Sequence, residues 1–199
     1  MKPRSVDIKR KTKETDISGK LNVDGQGNAD IKTGIGFLDH MLELFAFHGL
    51  FDLELKATGD LNVDTHHTNE DVGITLGLAF KKALGDCKGI RRFGSSEVPM
   101  DKAKAKAVVD VSNRYAFEKT LQSEPHGSES GYTFDDGMDF LDSFAKKMNI
   151  NLHIEASGAD LHHVLEAVFK SLGVALDQAT QIDPRRKDIP STKGIIIDE

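Results

Sequence analysis

Only one cysteine occurs in the chain, Cys87, so no internal disulfide can form, which suits a reducing cytoplasm. That thiol lies in "LGDCKG", a turn signal, and carries no assigned role. No apolar run approaches the roughly 20 residues that a bilayer span demands. The charged opening "MKPRSVDIKRKTKETD" also lacks the apolar stretch of a signal peptide. An excess of positive charge is missing too. Lysine and arginine number 26 against 32 acidic residues, a net charge of −6. Nothing global therefore points to nucleic acid or to a membrane, and any anion site must be a local cluster of cations. What is present is enough apolar material, 38% of 199 residues, for a packed core in one domain or in two small fused ones. The expectation is a cytoplasmic protein with neither nucleic-acid nor membrane partners.

The chain says one thing twice. "FLDHMLELFAFHGLFDLELKATG" (37–59) aligns without gaps on "DGMDFLDSFAKKMNINLHIEASG" (136–158). Phe45 falls on Phe144, Ala46 on Ala145, Leu53 on Leu152, Ala57 on Ala156 and Gly59 on Gly158. Each copy is followed by a run with the pattern His-His-x-x-Glu: "DTHHTNED" (64–71) and "DLHHVLEA" (160–167). Alternating stretches such as "SVDIKRKTKETDISGKLNVDG" and "KAKAVVDVSNRYAFEKTL" read as half-buried strands. "FLDHMLELFAFH" and "FDDGMDFLDSFAKKM" have helical spacing, and the two double-histidine runs open long amphipathic helices. Each half reads strand, strand, helix, strand, helix. The expected fold is α+β: two tandem repeats, residues 1–95 and 96–182, each a mostly antiparallel sheet with helices on one face, joined in one folded unit. Residues 183–199, "DPRRKDIPSTKGIIIDE", read as a tail.

On a helix, positions i and i+4 share a face. His66 with Glu70, and His162 with Glu166, can each reach one ion, while His67 and His163, about 100° further round, point elsewhere. The aligned repeats add His40 and Asp139, which occupy equivalent positions. Imidazole and carboxylate without thiolate suit Mn²⁺, Fe²⁺ or Zn²⁺. For one run alone, a polar first turn capped by Asp64 or Asp160 is the plain alternative. Two runs in register favour metal. The pattern is not the HExxH of metalloproteases. His48, His126 and His153 fall outside it and are read as structural or surface residues.

With these residues in hand, the chain resembles the imidazoleglycerol-phosphate dehydratases. The resemblance rests on "KTKET" (11–15), "TGIGFLDHML" (33–42), "FDLELKATGDL" (51–61), "HHTNEDVGI" (66–74), "GIRRFG" (89–94), "PMD" (99–101), "HHVLEAVFK" (162–170) and "PSTKG" (190–194). It implies duplicated α+β units in a hollow homo-oligomer of 24 subunits, with two manganese ions per active site at subunit interfaces. It implies dehydration of imidazole glycerol phosphate to imidazole acetol phosphate in histidine biosynthesis. The carbon that loses its proton has no neighbouring carbonyl, so the imidazole ring must supply the electrons that expel hydroxide. Metal ions on the ring nitrogens would favour an imidazolate, and the resulting diazafulvene-like species would make the adjacent C–H acidic. The metal ligands implied are His40, His66, His67, Glu70, His162, His163 and Glu166, with Asp139 where relatives carry His or Glu. Glu14 matches the acid–base and substrate-contacting glutamate. Arg92, Arg114, Lys170, Ser191 and Lys193 match phosphate-binding positions, and the tail would close over the phosphate. Asn113 and Tyr115 stand where the family usually has Gly and Pro, and Leu44 replaces a common Gln. A two-metal phosphoesterase and a metal-storing assembly protein are the competing readings.

Overall fold

The computed structural model describes residues 4–123 and 125–194. The first half runs β1 (Ser5–Lys11), β2 (Thr15–Asn22), β3 (Ala29–Lys32), α1 (Gly36–His48), β4 (Asp52–Gly59) and α2 (His66–Leu84). The second runs β5 (Phe93–Met100), β6 (Ala103–Asp110), β7 (Ala116–Leu121), α3 (Phe134–Met148), β8 (Asn151–Ser157) and α4 (Leu161–Thr180). Each half thus has one strand more than the five-element order expected from sequence. In the first half it is β3, four residues of which only Ile31 is buried, too short to show a period. In the second it is β5, whose "FGSSEVPM" buries only Gly94. Because β5 begins at Phe93, the expected break between residues 95 and 96 falls inside a strand. The halves divide before Phe93. The tail's last five residues, 195–199, lie outside the described residues.

The two sheets share one topology, β1-β2-β4-β3 and β5-β6-β8-β7. In each, two antiparallel pairings are followed by one parallel pairing at the edge, β3 with β4 and β7 with β8. Register follows from alternation. On β6, Ala105, Ala107 and Val109 are buried and sit opposite Ala156, Ile154 and Leu152 of β8. A one-residue slip of either strand would turn its three buried residues to solvent. Ile17 and Leu21 of β2 meet Ala57 and Leu53 of β4 in the same way. His153 falls on the outer face of β8 and is exposed, as its alternation suggests.

All four helices lie between the sheets. α2 packs on β1 and β2, α4 packs on β5 and β6, and the halves meet through α2 against α3 and α1 against α4. Two glycines set how closely these pairs approach. A Cβ on Gly77 of α2 would stand 2.5 Å from the carbonyl oxygen of Phe144 on α3. Its repeat partner, Gly173 of α4, would meet the carbonyl oxygen of Phe45 on α1 at 2.6 Å. Any larger residue would push the helices apart. Phe45 and Phe144 are themselves repeat partners, with ring centroids 6.1 Å apart, and Phe80 packs against both. One apolar core therefore spans both halves. Burying each such ring contributes on the order of 2–3 kcal/mol.

Candidate metal and substrate site

Close packing of α1 on α4 decides what the first turn of α4 faces. His40, from the first half, meets His162 and Glu166 from the second. Glu166 Oε1 lies 2.9 Å from His40 Nε2 and 3.1 Å from His162 Nε2. The donor atoms of these three residues lie within 4.8 Å of one another, the one group of three that does so among the described residues. The i, i+4 spacing puts His162 and Glu166 on one face of α4, and the two side chains do meet there. His40, the added candidate of the first half, joins them from α1. Phe37 packs edge-on against His162, fixing its ring. The other oxygen of Glu166 accepts from Lys170 Nζ at 2.5 Å. Burial disfavours the Glu166 anion, but the Lys170 and His40 hydrogen bonds, the Lys170 charge and His162 outweigh it. Its pKa falls to about 2. Two imidazole nitrogens and a firmly ionised carboxylate converging on one point fit a divalent ion.

The matching constellation in the first half is looser. Asp139 on α3 is close enough to His66 on α2 for the imidazole to act on its carboxyl. Desolvation nevertheless raises that pKa, with Asp136 and Asp135 adding to the rise. Glu70 is exposed and has no hydrogen-bond or ion-pair partner among the described residues. These three ligand candidates are on neighbouring helices but are not drawn together as the other three are.

The second histidine of each pair does turn away. His67 Nδ1 is 3.0 Å from Asp60 Oδ2, and this hydrogen bond raises the imidazole's pKa, with the charges of Glu14, Asp60 and Asp64 adding. Nδ1 so occupied leaves Nε2 without a hydrogen bond among the described residues. The remaining oxygen of Asp60 is buried without a partner among the described residues, where His67 is its side chain's one hydrogen-bond partner. No period marks Asp60, which follows directly on Gly59 at the end of β4. His163 sits 3.3 Å from Asp160 and 3.5 Å from Asp101. Asp160 caps α4 by accepting from the His163 amide, as expected. Asp64 does not cap α2. Thr65 holds that position with no side-chain bond, and Asp64 accepts from the His66 amide at 2.9 Å.

Glu14 lies in the β1–β2 connection, exposed, near enough to His67 for its charge to be felt. The five phosphate candidates have unequal surroundings. Lys170 belongs to the Glu166 cluster. Arg92 grips both oxygens of Asp110 and donates to the Pro190 carbonyl at 3.0 Å, tying the tail to β6. Its backbone is left-handed at φ 79°, which costs a residue of this size about 1 kcal/mol or more. Ser191 and Lys193 follow in a turn closed by the Lys193 amide on Ser191 Oγ, and the Lys193 ammonium has no partner among the described residues. Arg114 is exposed. Asn113 beside it adopts φ 56°, a region asparagine enters more readily than most residues, so the usual Gly is replaced without distortion. Tyr115 donates its hydroxyl to Asp142, and Leu44 packs on the core. His48, read from sequence as structural, stands two helical turns from His40. Burial and the Lys170 charge lower its pKa, Glu166 opposing them.

Comparison with known proteins shows the family. The imidazoleglycerol-phosphate dehydratase family model matches residues 33–176. The imidazoleglycerol-phosphate dehydratase of Thermoanaerobacter sp. (strain X514) is 54% identical over 97% of this chain and 100% of its own. That of Bacillus subtilis (strain 168) is 50% identical over the same shares. The crystal structure of the Pyrococcus furiosus enzyme in complex with (S)-C348 superposes with a TM-score of 0.80 at 36% identity, covering 94% of this chain and 99% of that one. The Staphylococcus aureus enzyme gives 0.78 at 31%, over 89% and 100%. The chain belongs to the imidazoleglycerol-phosphate dehydratase family, hydro-lyases of histidine biosynthesis.

Proposed function

We propose that this chain dehydrates imidazole glycerol phosphate to imidazole acetol phosphate with two manganese ions per site. The observation that carries the reading is the convergence of His40, His162 and Glu166, donors from both halves with the charge and geometry a divalent ion needs. His66, Glu70 and Asp139 would hold the second ion, with His67 and His163 completing sites shared with neighbouring subunits. Bound there, the ions supply Lewis acidity that favours the imidazolate form of the substrate ring.

The chain's own residues do the rest. Lys170 keeps Glu166 ionised, so that carboxylate stays a ligand rather than a proton donor. Glu14, exposed beside His67, takes the proton from the carbon next to the ring. Arg114, Ser191 and Lys193 bind the phosphate, with Arg92 holding the tail strap at Pro190 so that it folds over the bound group and excludes water. The resemblance supports a homo-oligomer of 24 subunits, and no helix among the described residues is long and apolar enough to cross a membrane. A cytoplasmic location completes the reading.

Incubating manganese-loaded protein with imidazole glycerol phosphate tests it. A keto product that retains its phosphate is expected. Release of inorganic phosphate instead would mark a two-metal phosphoesterase, and manganese-driven assembly without turnover a storage protein.

A further inference from the structure

The run that opens α2 ends in two adjacent carboxylates, and the proposed mechanism uses Glu70 and leaves Asp71 over. Asp71 is buried, and both its oxygens are engaged. Arg10 Nη2 donates to Oδ1 at 2.5 Å, and the Thr15 hydroxyl donates to Oδ2 at 2.5 Å. Arg10 gives Asp71 this bond although its own Nε is buried without a partner among the described residues. The two donors flank the β1–β2 connection, one near the end of each strand. Within that connection, Thr12 Oγ1 accepts from the backbone amides of Glu14 at 3.1 Å and Thr15 at 2.9 Å. It also lies 3.2 Å from the Thr15 hydroxyl. A continuous chain of hydrogen bonds therefore runs from α2 through Thr15 and Thr12 to the backbone of Glu14.

The second half has no such device. Ala167 stands in the place of Asp71 in its double-histidine run. Its β5–β6 connection is only Asp101 and Lys102, a turn short enough to close on its own. The longer β1–β2 connection carries an exposed side chain that must stay in place with nothing of its own to hold it.

We propose that Asp71 is a positioning residue: by gripping Arg10 and Thr15 it fastens the β1–β2 connection to the metal-binding helix and holds Glu14 beside His67. The inference rests on the reading of Glu14 as the acid–base group. A displacement of about 1 Å at a reacting group can cost on the order of a hundredfold in rate. A buried ion pair with a purely structural role would change stability and leave the Glu14 amide and the kcat of folded protein alone.

The test uses the manganese-loaded full chain with Asp71→Asn, the near-isosteric Thr15→Val and Glu14→Gln, singly and with each of the first two added to the third. Hydrogen exchange at the Glu14 and Thr15 amides, bound manganese, kcat and KM are read for each. In Thr15→Val and Asp71→Asn, amide exchange should rise by about tenfold, the loss of one buried hydrogen bond. Their kcat should fall by about ten- to hundredfold with KM and bound manganese near wild type. On the Glu14→Gln background neither should lower kcat further. Wild-type exchange and kcat in Thr15→Val overturn the proposal, as do kcat losses that multiply with that of Glu14→Gln. Wild-type kcat in Glu14→Gln alone removes Glu14 from the mechanism. That failure is recognisable as one of the functional reading, because exchange in Thr15→Val would still be raised, and it overturns the positioning role with it.

Discussion

The two halves of the molecule share a skeleton and differ in almost everything polar attached to it. Phe45 and Phe144, Gly77 and Gly173, and the alternation of β4 and β8 are equivalent pairs in equivalent contacts. The constellations built on them are not. His40, His162 and Glu166 are drawn together and braced by Lys170, whereas Asp139 and His66 are neighbours without a bond and Glu70 faces solvent. One connection places an aspartate 3.5 Å from its histidine, and the other places a glutamate held through a buried latch. A packed interior tolerates little change in volume, so duplication kept the core. The polar rim carries no such constraint. A substrate with a ring at one end and a phosphate at the other is served better by unlike halves than by copies.

The comparison breaks most visibly at the two connections. Glu14→Gln should lower kcat by about a thousandfold, the contribution of a positioned acid–base group. Asp101→Asn, its counterpart, should stay within about twofold, as exposed substitutions do. Steady-state kinetics on imidazole glycerol phosphate decide this, and equal losses would make the halves catalytic equals. The shared skeleton predicts the opposite pattern. Phe45→Ala and Phe144→Ala should cost similar amounts, about 3–5 kcal/mol each, in equilibrium denaturation.

Two aspartates beside histidines sharpen the contrast further. Asp60→Asn should weaken manganese binding by about ten- to hundredfold, because Asp60 orients His67 from outside the ligand set. Asp160→Asn or Asp160→Ala acts on a helix cap, so the alanine variant should cost about 1 kcal/mol of stability. Titration calorimetry and melting curves separate the two effects.

The smallest effect appears in metal-stripped protein. Glu166 has a pKa of about 2 in the fold against an ordinary 4.5, so it stabilises the fold above about 4.5 and that contribution is lost as pH falls toward 2. Asp139 is shifted upward, so its ionised form burdens the fold at neutral pH and the burden lifts as pH drops through its raised value. Asp139→Asn should therefore raise the neutral-pH Tm by about 2 °C, while Glu166→Gln lowers it and flattens the acid decline. Melting curves that move together for the two variants would erase the difference between the sites.

Sequence carried the duplication, the double-histidine helices and the buried faces of β2, β4, β6 and β8, because each leaves a period that needs no partner to be read. It did not carry β3 or β5, whose few buried positions leave no period. Nor did it show that His40 joins the other half's helix, since that depends on α1 meeting α4 at Gly173. Asp60 and Asp71 were invisible as functional residues for a related reason. Their meaning comes from partners seven and 56 residues away along the chain, brought near only by folding.

The most direct test of the central claim is a manganese add-back to chelator-stripped protein, following turnover of imidazole glycerol phosphate and bound metal together. The account requires no turnover without metal and a rise that saturates at two ions per chain, with His40→Ala and His66→Ala each losing one of them. Full turnover by protein shown to be free of metal would contradict it.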